Sequence, residues 1–126
     1  YEDIIKMLID GTNEAISNHK KKFKIDIIYV PGVFEIPYAI SKNLKRFDAF
    51  IALGCVIKGE TPHFDFISKS TIDAIMKLSI ESKKPIGNGI LTCLNKDQAV
   101  ERADKSNKNK GKEAADAAIE LLIGDN

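Results

Sequence analysis

The segment DAFIALGCVIKGETPHFD, residues 48–65, decides the fold. Its first part, Asp48 to Leu53, is a short apolar run that predicts a buried strand. Gly54 to Phe64 then form a loop, and Asp65 to about Lys83 has the apolar spacing of a long helix. The buried face of that helix is predicted to comprise Ile67, Ile72, Ile75, Met76 and Ile80. A strand, a loop and a helix in this order indicate an α/β domain.

The same alternation precedes this segment. A first helix ends in the basic run His19 to Lys22, where His19 is interpreted as a solvated surface residue. Lys24 to Val30 is rich in β-branched residues and predicts a strand. After Pro31 a helix begins near Ile36 and runs to about Arg46.

The alternation also continues after the long helix. Ile86 to Leu94 contains a third strand, which we expect to be interrupted at Gly87-Asn88-Gly89 because glycine weakens a strand. Asn95 caps a helix that runs to about Ala103, and Lys112 to Ile123 form the last helix. Strands that alternate with helices and are buried on both faces predict a parallel sheet with helices on each side.

The beginning of the sequence predicts one more strand. Because the first visible element is a helix, we expect a strand upstream of Tyr1 that is not part of this sequence. A length of 126 residues suits one hydrophobic core. We therefore expect residues 1–126 to form a single domain that is incomplete at its N-terminus.

Composition excludes several classes of protein. A net charge of +1 gives no reason to expect a nucleic acid or an acidic membrane as partner. No apolar run approaches the roughly twenty residues of a membrane span, and no signal peptide is visible. Cys55 and Cys93 match no metal or redox spacing, and two free thiols suit a reducing compartment. The expected location is the cytoplasm, or a plastid if a transit peptide was removed.

The loop after the second strand is the best candidate for chemistry, because ligands of open α/β sheets bind beyond the carboxyl ends of strands. Gly54 and Gly59 let the backbone approach a ligand, and the loop leads into a helix N-terminus that favours an anion. Thr61 adds a hydroxyl and His63 a group that titrates near neutral pH. Phosphate binding with acid–base catalysis is one interpretation. A glycine turn with a capping Thr61 and a surface His63 is equally compatible with the pattern.

Four other residues can be interpreted either as functional or as ordinary structural or surface residues. Glu35 binds a polyol or is a first-turn acid that the helix dipole favours. Asn88 between two glycines marks close approach of a ligand or of backbone. Arg102 and Lys110 are interpreted, on their own, as solvated charges. Physical reasoning alone thus predicts a phosphate-binding α/β domain.

Five segments together resemble the lumazine synthase family. They are VPGVFEIP (Val30 to Pro37), GCVIKGETPHFD (Gly54 to Asp65), NGILT (Asn88 to Thr92), ERA (Glu101 to Ala103) and NKGKEAA (Asn109 to Ala115). They occur in the family's order and at similar spacing, and they extend over nearly the whole chain.

The resemblance implies a flavodoxin-like three-layer sandwich with a four-stranded parallel sheet. It implies an enzyme that condenses 5-amino-6-(D-ribitylamino)uracil with 3,4-dihydroxy-2-butanone 4-phosphate to 6,7-dimethyl-8-ribityllumazine in riboflavin biosynthesis, without a metal or organic cofactor. Family active sites lie between the subunits of a homopentamer, and in some members twelve pentamers form an icosahedral shell of sixty subunits.

The resemblance also implies a role for each matching residue. His63 is the expected general acid/base, and Glu60 and Thr61 hold the phosphate through the loop backbone and the Thr hydroxyl. Arg102 reaches the same phosphate from the neighbouring subunit, assisted by Lys110. The residues expected to border the ribityl chain and the pyrimidine are Val33, Phe34, Glu35, Cys55, Val56, Ile57 and, from the adjacent chain, Asn88.

Two departures and two rivals accompany this interpretation. The family's first strand and the aromatic residue that stacks on the pyrimidine have no counterpart here, and Lys58 stands where arginine is frequent. One rival is a non-catalytic relative that forms a shell or binds a ligand. The other is a monomeric flavodoxin-like module that binds FMN or a nucleotide.

Overall fold

The computed structural model describes residues 1–124, which form five α-helices, one short 3-10 helix and two parallel strands. In chain order the elements are α1 (Glu2–Ser17), the 3-10 helix (Val33–Glu35), α2 (Ile36–Lys42), β1 (Phe50–Ile57), α3 (His63–Ser82), β2 (Ile86–Cys93), α4 (Lys96–Ala103) and α5 (Lys110–Gly124). The predicted α/β class and the parallel sheet are confirmed. Among the described residues no helix is long and apolar enough to cross a membrane.

The sheet is covered on both faces. β1 and β2 pair in parallel from Phe50 opposite Ile86 to Ile57 opposite Cys93. On one face, side chains of α1 and α4 form a cluster with Cys55 and Cys93. On the other face, side chains of α2 and α3 pack around Ala52. Since successive side chains of a strand point to opposite faces, this alternation fixes which residues of β1 face the candidate site.

The number of strands differs from the four that were expected, because only two are present in residues 1–124. The predicted strand at 24–30 has no ladder partner, and a strand exists only within a hydrogen-bonded sheet. Phe23 and Val30 pack against core clusters, whereas Ile28 and Tyr29 between them are 49% and 75% exposed. The ends of the segment therefore pack against the core, and the apolar side chains in its middle are exposed.

The glycines of β2 do not interrupt the strand, contrary to the prediction. A Cβ on Gly87 would lie 2.1 Å from the carbonyl oxygen of Ala114, and one on Gly89 would lie 2.5 Å from Leu53 Cδ2. β2 therefore runs unbroken because its glycines allow α5 to pack directly on the backbone.

Three further boundaries and one helix face were predicted wrongly. β1 continues to Ile57, so the loop comprises only residues 58–62. α3 begins at His63, and its residues Met76 and Ile80 are exposed although they were expected in the core. α2 ends at Lys42, four residues earlier than predicted.

His19 is not a solvated residue. Its Nε2 lies 3.0 Å from Asp116 Oδ1 of α5, and its side chain is only 26% exposed. Lys112 Nζ lies 2.6 Å from the other oxygen of the same carboxylate. This cluster ties the end of α1 to α5, and α5 in turn packs on β2.

Candidate active site

The loop between β1 and α3 presents the predicted acid–base residue to solvent. His63 is the first residue of α3, and Glu60, Thr61 and His63 are all exposed. The His63 amide donates to Thr61 Oγ1 at 3.4 Å, and no side chain caps the helix. The Asp65 amide donates to the Pro62 carbonyl at 3.0 Å, so the attraction of this end of α3 for a phosphate rests mainly on the helix dipole and on the exposed Thr61 hydroxyl.

The 3-10 helix brings a second predicted motif to the same side of the sheet. It contacts both β1 and α3. A Cβ on Gly54 would lie 2.7 Å from Val33 Cγ2, so the absence of a side chain at Gly54 allows Val33 to lie on the strand. Glu35 is half-buried and its amide donates to the Gly32 carbonyl at 3.2 Å, while Phe34 is 60% exposed. Val33 to Glu35 therefore border the carboxyl half of β1.

The residues at the end of β1 contribute differently to the site. Val56 points to the face of Gly54 and the 3-10 helix, whereas Cys55 is buried on the opposite face. Burial, followed by the nearby Cys93, raises the pKa of the Cys55 thiol to about 11. A thiol that stays protonated at neutral pH is a poor nucleophile. The Cys55 side chain therefore packs away from the 3-10 helix, and its predicted place beside the pyrimidine stays a prediction.

A second group of predicted residues lines a groove beside β2. The groove has a volume of ≈ 350 Å³ and is lined by Asn88, Ile90, Leu91, Thr92, Arg102, Lys108, Lys110 and Glu113. Its lining contains neither the 58–62 loop nor the 3-10 helix. One chain thus brings the predicted residues together in two groups. The loop group holds the histidine, and the groove group holds Asn88, Arg102 and Lys110.

The groove has the chemistry of an anion site. Arg102 lies in the last turn of α4, and its Nη1 donates to the Gln98 carbonyl of the same helix at 3.3 Å, so within residues 1–124 most of its donors have no protein partner. Lys110 begins α5 and its Nζ lies 3.0 Å from Glu113 Oε1. Burial raises the pKa of Cys93, and the positive charge of Arg102 opposes that rise. Cations beside a helix N-terminus favour phosphate.

Sequence reasoning missed Thr92 and Lys108 as groove residues. Thr92 lies four residues after Asn88 and therefore on the same strand face, a signal that was present in the sequence. No sequence pattern indicated a role for Lys108, because it belongs to a lysine-rich run that is typical of a solvent-exposed loop. Within residues 1–124 no three His, Cys, Asp or Glu side chains are grouped as metal ligands.

A parallel α/β unit with an exposed histidine and a cationic groove beside β2 has the features expected of an enzyme that acts on phosphorylated small molecules. The sequence model of 6,7-dimethyl-8-ribityllumazine synthase matches residues 1–123, and the chain belongs to this family. This membership confirms the family, the enzyme class and the activity predicted from the five motifs.

Three curated relatives, all named 6,7-dimethyl-8-ribityllumazine synthase, show how far the similarity extends. The protein of Bartonella tribocorum is 42% identical over 134 residues, covering 100% of this chain and 87% of its own length. That of Sphingopyxis alaskensis is 44% identical, covering 97% and 86%. That of Campylobacter jejuni serotype O:23/36 is 41% identical, covering 94% and 79%.

Proposed function

We propose that this chain joins 5-amino-6-(D-ribitylamino)uracil to 3,4-dihydroxy-2-butanone 4-phosphate in a site that two copies build together. The separation of the predicted residues into a loop group and a groove group carries this proposal. The loop group has an acid–base residue, and the groove group has the guanidinium for a phosphate. Each group supplies what the other lacks.

His63 of one copy moves protons in the proposed reaction. The amine of the uracil condenses with the ketone and releases water, phosphate leaves by elimination, and ring closure onto the second carbonyl releases a second water. Each of these steps transfers a proton, and an imidazole has one nitrogen that donates a proton and one that accepts it. The exposed position of His63 on α3 allows a neighbouring copy to cover it.

The phosphate is held from both sides in this arrangement. Thr61 and the first turn of α3 donate from one copy, and Arg102 and Lys110 donate from the other. Arg102 presents paired donors that match two phosphate oxygens. Glu60 contributes its backbone, and its carboxylate points into solvent because two anions in contact repel each other.

The uracil occupies the face of β1 that carries the 3-10 helix. Val33, Phe34 and Glu35 line the ribityl chain, and the half-buried Glu35 carboxylate accepts hydrogen bonds from its hydroxyls. The pyrimidine is bordered by the strand end, which comprises Cys55, Val56 and Ile57, and by Asn88 of the adjacent copy. Much of the rate gain comes from holding two substrates together, an effect worth roughly 7–11 kcal/mol at best.

The proposed assembly is a homopentamer, which in some family members builds a shell of sixty copies. The outer face of α3 supports contact between copies. Phe66, Met76 and Ile80 are 68%, 58% and 66% exposed on this helix, at a spacing that places them on one side. A shallow concavity of ≈ 390 Å³ along the same helix is lined by Asp73, Met76, Lys77, Ile80 and Glu81. One helix surface cannot enclose a substrate, but it suits another helix.

We further propose that residues 1–126 belong to one flavodoxin-like domain whose complete sheet has four strands. Two features support this: within residues 1–124 one edge of β1 has no paired strand, and the apolar middle of segment 24–30 is exposed. A further strand between them would pair with both. The cytoplasm is the proposed location, supported by two buried free thiols.

Arg102→Ala tests the proposed function. Loss of hydrogen bonds to a charged group costs about 1.5–3 kcal/mol, so the KM for the sugar phosphate should rise about 10- to 100-fold. The KM for the uracil should stay nearly unchanged. Equal losses for both substrates contradict the assignment, and no lumazine absorbance from intact, assembled wild-type protein favours the non-catalytic rival.

A further inference from the structure

We propose that Lys108 is a third phosphate-binding cation, which sets the affinity of the site for the dianionic sugar phosphate. This inference rests on the proposed function, because it assigns a further residue to the same groove. It begins from the lining, where Lys108 lies with Arg102 and Lys110 around one concavity.

The three cations of the groove differ in what they already bind. Lys110 pairs with Glu113, and Arg102 donates one bond to its own helix. Within residues 1–124 the Lys108 ammonium has no ion-pair partner. An ammonium without a protein partner is free to bind a ligand at no cost in broken ion pairs.

The backbone around Lys108 is held in place although the side chain is exposed. The Lys108 amide donates to the Glu101 carbonyl at 3.3 Å, and the Asn109 amide donates to the Asp104 carbonyl at 3.1 Å. Asn109 adopts a left-handed conformation with φ 50°, and its Oδ1 accepts from the Lys112 amide at 3.3 Å. These bonds fix the base of the Lys108 side chain at the rim of the groove.

The charge balance gives Lys108 its effect on affinity. Glu113 is the one carboxylate among the groove residues, and its charge offsets that of Lys110. The net positive charge therefore comes from Arg102 and Lys108 together. A phosphate monoester carries about −1.5 to −2 charges at pH 7, so these two cations match the dianion.

Lys108→Gln is the decisive variant. The KM for 3,4-dihydroxy-2-butanone 4-phosphate and the inhibition constant of inorganic phosphate should both rise about 3- to 10-fold at low salt, the size of a partly exposed charge contact. The uracil KM and kcat should stay unchanged. The rise should shrink in 0.5 M salt (about 4 Å Debye length), and Lys108→Arg should retain wild-type values.

Lys105→Gln is a matched control, because it removes the same charge from the same loop. Lys105 pairs with Glu14 of α1 at 2.9 Å and does not line the groove, so its sugar-phosphate KM should stay within about twofold of wild type. Glu113→Gln should act in the opposite direction and lower that KM, since it frees Lys110.

The outcomes separate this inference from the proposed function when Arg102→Ala is measured in the same assay. If Arg102→Ala raises the sugar-phosphate KM while Lys108→Gln matches Lys105→Gln, the role of Lys108 is refuted and the groove remains the phosphate site. If neither variant changes that KM, both proposals fail. An equal rise in the uracil KM for Lys108→Gln also overturns the inference, because it indicates a general structural effect.

Discussion

Gly54→Ala should displace the 3-10 helix, which we propose binds the ribityl chain of the uracil. The new Cβ would lie 2.7 Å from Val33 Cγ2 and 3.4 Å from Ile36 Cδ1. Ordinary contacts lie at 3.4–4 Å, so the Val33 methyl must retreat by about 1 Å. Val33 begins the 3-10 helix, and the displacement therefore reaches Phe34 and Glu35.

The expected magnitude follows from that overlap. Overpacking of this size costs about 1–3 kcal/mol of unfolding free energy. A misplacement of about 1 Å at a site that positions substrate can lower turnover by up to 10²-fold, so we expect the uracil KM to rise and kcat/KM to fall about 10- to 100-fold. The sugar-phosphate KM should change little, because the proposed phosphate contacts lie on α3 and in the groove.

Steady-state kinetics with each substrate varied in turn, together with thermal unfolding at matched protein concentration, measures both effects. A Val33→Ala background removes the clashing methyl while it keeps the backbone. Gly54→Ala should therefore cost clearly less stability in that background than in the wild type. Equal costs in both backgrounds refute the clash with Val33, and an unchanged uracil KM in the single variant removes the 3-10 helix from the site.

Two other variants test the chemistry and the tertiary fold. His63→Ala should lower kcat about 10²- to 10⁴-fold and leave assembly intact by light scattering, and an unchanged rate excludes His63 from proton transfer. For Asp116, burial raises the carboxyl pKa, but hydrogen bonds from Lys112 and His19 outweigh it and hold the pKa below its ordinary value. Its contribution to stability is therefore present above about pH 4 and is lost as pH falls through the folded-state pKa. Asp116→Asn should lower the free energy of unfolding by about 1 kcal/mol at pH 7, and that free energy should fall less steeply between about pH 5 and 3 than in the wild type. An unchanged dependence of the unfolding free energy on pH contradicts this.

Local patterns predicted most of the fold. Asn95 caps α4 as expected, its Oδ1 accepting from the Gln98 amide at 2.9 Å, because this interaction involves only neighbouring residues. The role of Gly87 depends on Ala114 of α5, which is distant in sequence, and was therefore missed. Segment 24–30 has the composition of a strand, but composition does not supply a hydrogen-bonding partner.

The candidate site was predicted less evenly. The position of His63 between a strand and a helix could be predicted from residues 54–63, because a glycine-containing strand end that leads into a helix is a local pattern. Lys108 and Glu113 belong to the groove only because α4 and α5 pack beside β2, and periodicity within one helix does not show this. Periodicity also does not show that Met76 and Ile80 of α3 are exposed. An apolar helix face that contacts a second copy has the same spacing as a face that packs in the core.

In the proposed active site, His63 of one copy acts together with Arg102 of the next copy. Co-assembly of equal amounts of His63→Ala and Arg102→Ala chains, after dissociation and reassembly, tests it most directly. In a ring with one interface type, random mixing restores a complete site at about a quarter of the interfaces, so kcat/KM should recover to about a quarter of the wild-type value. Recovery no greater than the sum of the two separate variants, in mixed assemblies verified by mass, contradicts the shared site.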